Sequence, residues 1–278
     1  MNELEENNMC NLNEMNLFEG EINQEGLFDG ISYDNIEIIV DLDDEVIPIE
    51  PNLNFEDLHR SEHDKYCVPI YAGEKGSIFR GSGVIVGNYL ITAAHVAQTA
   101  PDEFGRKNNY STLYFRFEGK MIKIEDSQLV HDGRGYHLHC ENYDDVIIYQ
   151  LNGITSSFVL YNGRPEISLK LAAFLYNRKN CDSDVVIDNK HICKVTSTEV
   201  KYEQRCIHWK NCFHITENKG NSFIVSGNSG GPVLRDGVVY GILTRDNVVG
   251  TVGTVIDSQY IQKCIDEGEK SRNESIHN

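Results

Sequence analysis

No run of apolar residues in this sequence approaches the roughly 20 that cross a bilayer as a helix. The longest, such as Val233-Leu234 and Val238 to Leu243, are short and interrupted, so no transmembrane helix is expected. The first residues, Met1-Asn2-Glu3-Leu4-Glu5-Glu6, lack the basic stretch and apolar segment of a secretory signal. A cytoplasmic location is the expectation that follows. Bases are also missing from the start of the chain: residues 1–60 hold 17 Asp and Glu against Arg60 alone. The chain as a whole carries −18 at pH 7, so nearly all the excess sits in this segment and the body is close to neutral. Such localised negative charge repels phosphate backbones and anionic lipid. Nucleic acid and membrane are thereby excluded as partners of this segment, leaving a basic protein or a basic patch on the body.

Sustained periodicity is absent from residues 1–60 too, which read as an acidic, flexible extension. Within it Leu17-Phe18-Glu19-Gly20 is echoed by Leu27-Phe28-Asp29-Gly30, either as two short apolar anchors or as chance in a biased composition. Ile36 to Glu45 resembles a SUMO-interacting motif, a β-branched run followed by acids, and reads more simply as a strand that docks on the body.

From Cys67 onward, short β-branched and aromatic runs alternate with Gly, Asn and Asp, the pattern of an all-β chain. Val68 to Tyr71, Gly83 to Val86, Tyr89 to Thr92, Leu113 to Phe117, Met121 to Ile124 and Val146 to Leu151 form one set, with a hairpin turn at Gly87-Asn88. A second set runs through Leu169 to Leu175, Val185 to Ile187, Ile192 to Val195, Cys206 to Ile215, Val233-Leu234, Val238 to Thr244 and Thr251 to Ile256. A helix over 257–268 places Ile261, Cys264 and Ile265 on one face. Two six-stranded antiparallel β-barrels, about 61–155 and 156–256, with a C-terminal helix, a tail over 269–278 and the N-terminal extension, account for this pattern.

Two motifs carry chemistry: Ile91-Thr92-Ala93-Ala94-His95-Val96, and Ser226-Gly227-Asn228-Ser229-Gly230-Gly231-Pro232-Val233. A serine hydroxyl is a weak nucleophile until an adjacent imidazole accepts its proton. Glycines around a serine let the backbone turn tightly and aim N–H groups at one point. Together, in this order, the motifs resemble the trypsin-like serine protease family over roughly residues 65–268. The resemblance implies a chymotrypsin-like fold, no cofactor, a protein or peptide substrate, and a triad of His95, Asp145 and Ser229. It also implies an oxyanion hole from the backbone N–H groups of Gly227 and Ser229. The third member precedes an apolar strand in the family, as Asp145 does in Tyr143-Asp144-Asp145-Val146-Ile147-Ile148. Asp144 would then face the other way, toward solvent or a turn.

The sequence also departs from secreted members. Asn228 stands where the digestive enzymes have an aspartate that pairs with a new N-terminus, and the half-cystines flanking the histidine loop are missing. Gly-Asn-Ser-Gly is closer to HtrA-type and glutamyl-endopeptidase-type members. Alignment to the serine puts Phe223 at the floor of a substrate pocket, Thr244, Arg245 and Asp246 on a substrate-pairing strand, and Thr251 to Thr254 on the far wall. An apolar floor disfavours a strict Lys or Arg preference, and Asp246 at the mouth favours one.

No metal is expected. Cys206, His208, Cys212 and His214 have ligand chemistry, but a two-residue turn at Lys210-Asn211 sets the two Cys-x-His pairs on opposite faces. His131, His137, His139 and Cys140 read as a polar loop. The reading is an intracellular serine endopeptidase whose acidic arm regulates access or recruits a basic partner. Its rivals are a protease-like binding module without activity and a viral or mobile-element polyprotein-processing protease.

A reducing compartment means that the eight cysteines (Cys10, Cys67, Cys140, Cys181, Cys193, Cys206, Cys212 and Cys264) are thiols. All eight should react with a thiol reagent after denaturation without reductant. A shortfall of two or more would reveal a disulfide.

Overall fold

The computed structural model of the 278-residue chain describes residues 62–99, 109–110, 112–134, 144–178, 186–202, 207–217, 223–246 and 250–276. Residues 1–60 with their Leu-Phe pairs and Ile36 to Glu45, together with His137, His139, Cys140 and Cys206, lie outside them. So do the side chains of His208 and Asp246.

The first sheet contains β1 (Cys67–Ala72), β2 (Ile78–Val86), β3 (Tyr89–Ala93), β4 (Leu113–Phe117), β5 (Lys120–Ile124), β6 (Leu129–Asp132) and β7 (Val146–Gln150). These pair antiparallel in the order β5-β4-β1-β2-β3-β7-β6. Among the described residues β5 and β6 do not pair, so the sheet is a half-barrel of seven strands where six in a closed ring were expected. The extra strand, β6, carries Leu-Val-His-Asp and so shows no alternation to read; its pairing with β7 defines it. The hairpin at Gly87-Asn88 is present, with Val86 opposite Tyr89 and Gly87 at φ 55°.

The second sheet contains β8 (Val159–Leu160), β9 (Lys170–Arg178), β10 (Val186–Ser197), β13 (Cys212–Glu217), β14 (Pro232–Arg235), β15 (Val238–Asp246) and β16 (Val252–Asp257). β14 pairs with both β9 and β15, which closes a six-stranded barrel in the order β14-β9-β10-β13-β16-β15. The two runs expected within β10 are one strand. Its polar centre, Asp188 to His191, pairs residue for residue with β9, and backbone pairing needs no apolar side chain.

The expected hairpin across Lys210-Asn211 is not formed. β12 (Ile207–Trp209) pairs with β11 (Val200–Tyr202) as a separate ribbon, while β13 pairs with β10 and β16. The opposite-faces argument against a metal at Cys212 and His214 therefore loses its premise.

Successive residues of a strand face opposite ways. In β7, Val146 and Ile148 enter the core shared by the two sheets and the terminal helix, whereas Ile147 and Tyr149 enter the interior of the first sheet. Leu90 and Ile91 of β3 divide in the same way, and so do Ile242 and Leu243 of β15, whose second core is the interior of the closed barrel. Strands buried on both faces explain why these segments read as unbroken apolar runs.

Helix α1 runs Ser258–Ile276, past the expected end at Gly268. Asp257 caps it, accepting the Tyr260 N–H at 2.8 Å. Ile261, Cys264 and Ile265 are buried as the periodicity implied. Gly268 is a site of close approach and not a stop: a Cβ there would lie 2.2 Å from the Val130 carbonyl oxygen of β6.

Helix propensity alone makes Gly268→Ala stabilising by about 0.8–1.0 kcal/mol. Overpacking against β6 costs about 1–3 kcal/mol. The variant should therefore unfold at lower denaturant than the wild type, and an increase in the midpoint would show that the contact yields.

Candidate active site

The short turn Ala94–Ala97 follows β3 directly. Ala94, Val96 and Ala97 are buried, and the small alanines let the turn lie flat against the first core. His95 is the partly exposed member. Arg80 fastens the turn's carbonyls, donating from Nη2 to Gln98 O at 2.6 Å and from Nε to Val96 O at 3.5 Å. The histidine turn is thus held by a guanidinium in the absence of the half-cystines of secreted proteases.

Asp145 grips His95 twice. Its Oδ1 accepts the His95 backbone N–H at 2.9 Å, and its Oδ2 lies 2.7 Å from Nδ1. The Asp145 carbonyl also accepts the Ala94 N–H at 3.0 Å. These bonds fix the ring's orientation and leave its Nε2 edge turned away from the carboxylate. Asp145 itself is 7% exposed. Asp144 faces elsewhere, as alternation requires, but not into solvent: its Oδ1 is 2.8 Å from Nε2 of His131.

Ser229 sits on a tight turn ahead of β14. Gly227 and Gly230 have φ of 99° and 84°, values that favour glycine. At Gly230 a Cβ would lie 2.1 Å from Ser82 O and 2.2 Å from Thr92 Oγ1. The turn is anchored to β2: Ser82 N donates to Ser229 O at 2.8 Å, and Ser82 Oγ donates to Gly227 O at 3.0 Å while accepting from Tyr176 N at 2.8 Å. Asn228, 1% exposed, spends both ends of its amide, with Oδ1 accepting from Val225 N at 2.6 Å and Nδ2 donating to Tyr176 O at 3.1 Å. An amide so employed orders this turn without a buried ammonium. The Ser229 hydroxyl is 3.5 Å from Thr244 O. Among the described residues it makes no hydrogen bond to His95, and the N–H groups of Gly227 and Ser229 donate none.

Thr244 is 2% exposed and is the extra residue of a bulge, since Leu243 opposes Val255 and Arg245 opposes Thr254. The bulge directs the Thr244 carbonyl toward Ser229. Phe223 is buried, its ring 5.4 Å from that of His191, whose Nδ1 is 3.4 Å from Glu217. Burial lowers the pKa of His214, which stands opposite Thr254 where β13 pairs with β16. A separate cleft of about 680 Å³ lies between β1, β4, β9 and β10; its lining includes Tyr71, Arg116 and Tyr176 but not His95, Asp145 or Ser229.

Arg80, Ser82 and Tyr176 escaped the sequence reading. A serine flanked by glycines, Gly81-Ser82-Gly83, was the available sign of close backbone approach at Ser82. Arg80 and Tyr176 gave none, because their roles are set by carbonyls distant in sequence.

No family model and no curated protein matches this sequence. Solved structures do. Neuropsin, a serine protease of mouse brain, matches with a TM-score of 0.52 at 16% identity over 72% of this chain and 94% of its own. HBP matches with 0.52 at 15% identity, covering 74% and 92%. The Rv3671c protease of M. tuberculosis matches with 0.50 at 12% identity, covering 74% and 81%. The fold is the chymotrypsin fold of trypsin-like serine proteases. Closeness to HtrA-type members rests on Gly227 to Gly230 alone.

Ser82→Ala should strip a buried donor and acceptor from the Ser229 turn. Each group left unpaired costs about 1–3 kcal/mol, so denaturant unfolding should shift by at least one such amount. An unchanged midpoint would mean that the turn is held by other bonds.

Proposed function

We propose that the chain is a serine endopeptidase that hydrolyses peptide bonds through an acyl-enzyme, with His95, Asp145 and Ser229 as its triad. The observation that carries this reading is the doubly bonded Asp145–His95 pair in a protease fold whose Ser229 turn is anchored on the strands leading to His95. In this reaction the Ser229 hydroxyl leaves Thr244 O and hydrogen-bonds to His95 Nε2, a tightening common when substrate arrives. Oγ then attacks the scissile carbonyl carbon as Nε2 takes its proton. Nδ1–H stays bonded to Asp145, whose charge stabilises the imidazolium. The oxyanion is received by the N–H groups of Gly227 and Ser229. Collapse expels the amine, which takes the proton from Nε2, and water repeats the sequence on the ester.

The bonded Asn228 side chain supports an active-site turn that needs no cleaved N-terminus for its order. Control then falls to residues 1–60, whose 17 acids against one base suit a basic partner. Four described cysteines, Cys67, Cys193, Cys212 and Cys264, are free and buried, which suits a reducing compartment.

A fluorophosphonate should label the wild-type chain and fail on Ser229→Ala; labelling of that variant at the wild-type rate would reject the nucleophile. In peptide turnover, Asp145→Asn should cost on the order of 10⁴ and Asp144→Asn far less, and the reverse order would transfer the orienting role. A wild-type protein that is folded and unlabelled is the binding module.

A further inference from the structure

Asp144, left out of the active site, belongs to another cluster. His131 of β6, Asp144 just before β7 and Cys264 of α1 bring a ring nitrogen, a carboxylate oxygen and a thiol sulfur within 4.8 Å of one another. His131 and Asp144 side chains are each 19% exposed and Cys264 is 1% exposed, so the donors are largely removed from solvent. The Tyr260 hydroxyl reaches both Asp144 and Cys264 and can support them as ligands.

We infer that His131 Nε2, an Asp144 carboxylate oxygen and Cys264 Sγ form a binding site for a divalent cation of the zinc class. One thiolate, one imidazole and one carboxylate, with water in a fourth position, is a donor set that zinc accepts. Ligand atoms about 2.0–2.3 Å from a tetrahedral ion stand roughly 3.3–3.8 Å apart. The observed spread calls for side-chain adjustment and no movement of strands. Thiol and imidazole together select zinc or cobalt over magnesium and calcium, which want oxygen alone.

The charge balance also fits. The Cys264 thiol gives up its proton to solvent as the sulfur–metal bond forms. The dication is then neutralised by one thiolate and one carboxylate, as a half-buried position demands. Bound there, the ion ties α1 to β6 and to the residue directly before Asp145. The inference does not depend on the protease reading.

The test uses the full-length protein, stripped of metal in reductant. Zn²⁺ should bind by calorimetry with one site that Ca²⁺ and Mg²⁺ do not fill, and should raise the unfolding temperature. Co²⁺ should produce a thiolate-to-cobalt charge-transfer band in the near ultraviolet. Cys264→Ser should abolish this band, and Cys264→Ser and His131→Gln should each weaken Zn²⁺ binding by more than the about 10–100-fold that loss of a supporting partner costs. Circular dichroism of the metal-free variants shows that they are folded; if one is not, the other carries the comparison. Absence of a cobalt band in the wild type, or a band and a Zn²⁺ affinity unchanged in the folded variants, would overturn the site, because the metal would then be absent or held by other cysteines.

Discussion

Gly230 leaves no space for a side chain between the Ser229 turn and the strand pair β2–β3, with Ser82 O and Thr92 Oγ1 both closer than any Cβ tolerates. Thr92 Oγ1 donates to that same Ser82 carbonyl at 2.6 Å, and Ser82 N donates to Ser229 O. This backbone approach welds the closed barrel to the half-barrel at one point. Thr92 lies three residues before His95, so the contact that admits only glycine at 230 also sets the serine beside the histidine turn. Everything proposed for the site depends on that contact holding, because a misplacement of about 1 Å between reacting groups is enough to cost catalysis heavily.

The surrounding cores make such an approach rigid. β3, β7 and β15 each divide their side chains between two hydrophobic cores, so no strand bearing on the site can shift without disturbing both. Polar groups caught at the junction are paired: Asn228 through both ends of its amide, Ser82 as donor and acceptor, Arg80 through the carbonyls of the histidine turn. Two adjacent carboxylates then acquire separate tasks from strand geometry alone. Asp145 turns to His95, and Asp144 turns to His131 and the helix.

The amino-acid sequence by itself determined the all-β class, the strands with strong β-branched runs, the buried face of α1 and the residue types at His95 and Ser229. These are local properties: side-chain period, turn chemistry and a glycine-rich turn are written in neighbouring residues. Strand alternation also implied that Asp144 and Asp145 point to opposite sides, while the choice of Asp145 as the partner of His95 came from the family resemblance. Only the tertiary structure decided that β6 exists, that β10 is one strand, that β12 turns away from β13 and that the helix continues past Gly268. It alone brought Arg80, Ser82 and Tyr176 to the turns that carry His95 and Ser229 and gathered His131, Asp144 and Cys264. Each of those depends on a carbonyl, an amide or a side chain brought from a remote part of the chain, and pairing across such separations leaves no pattern among neighbours in sequence.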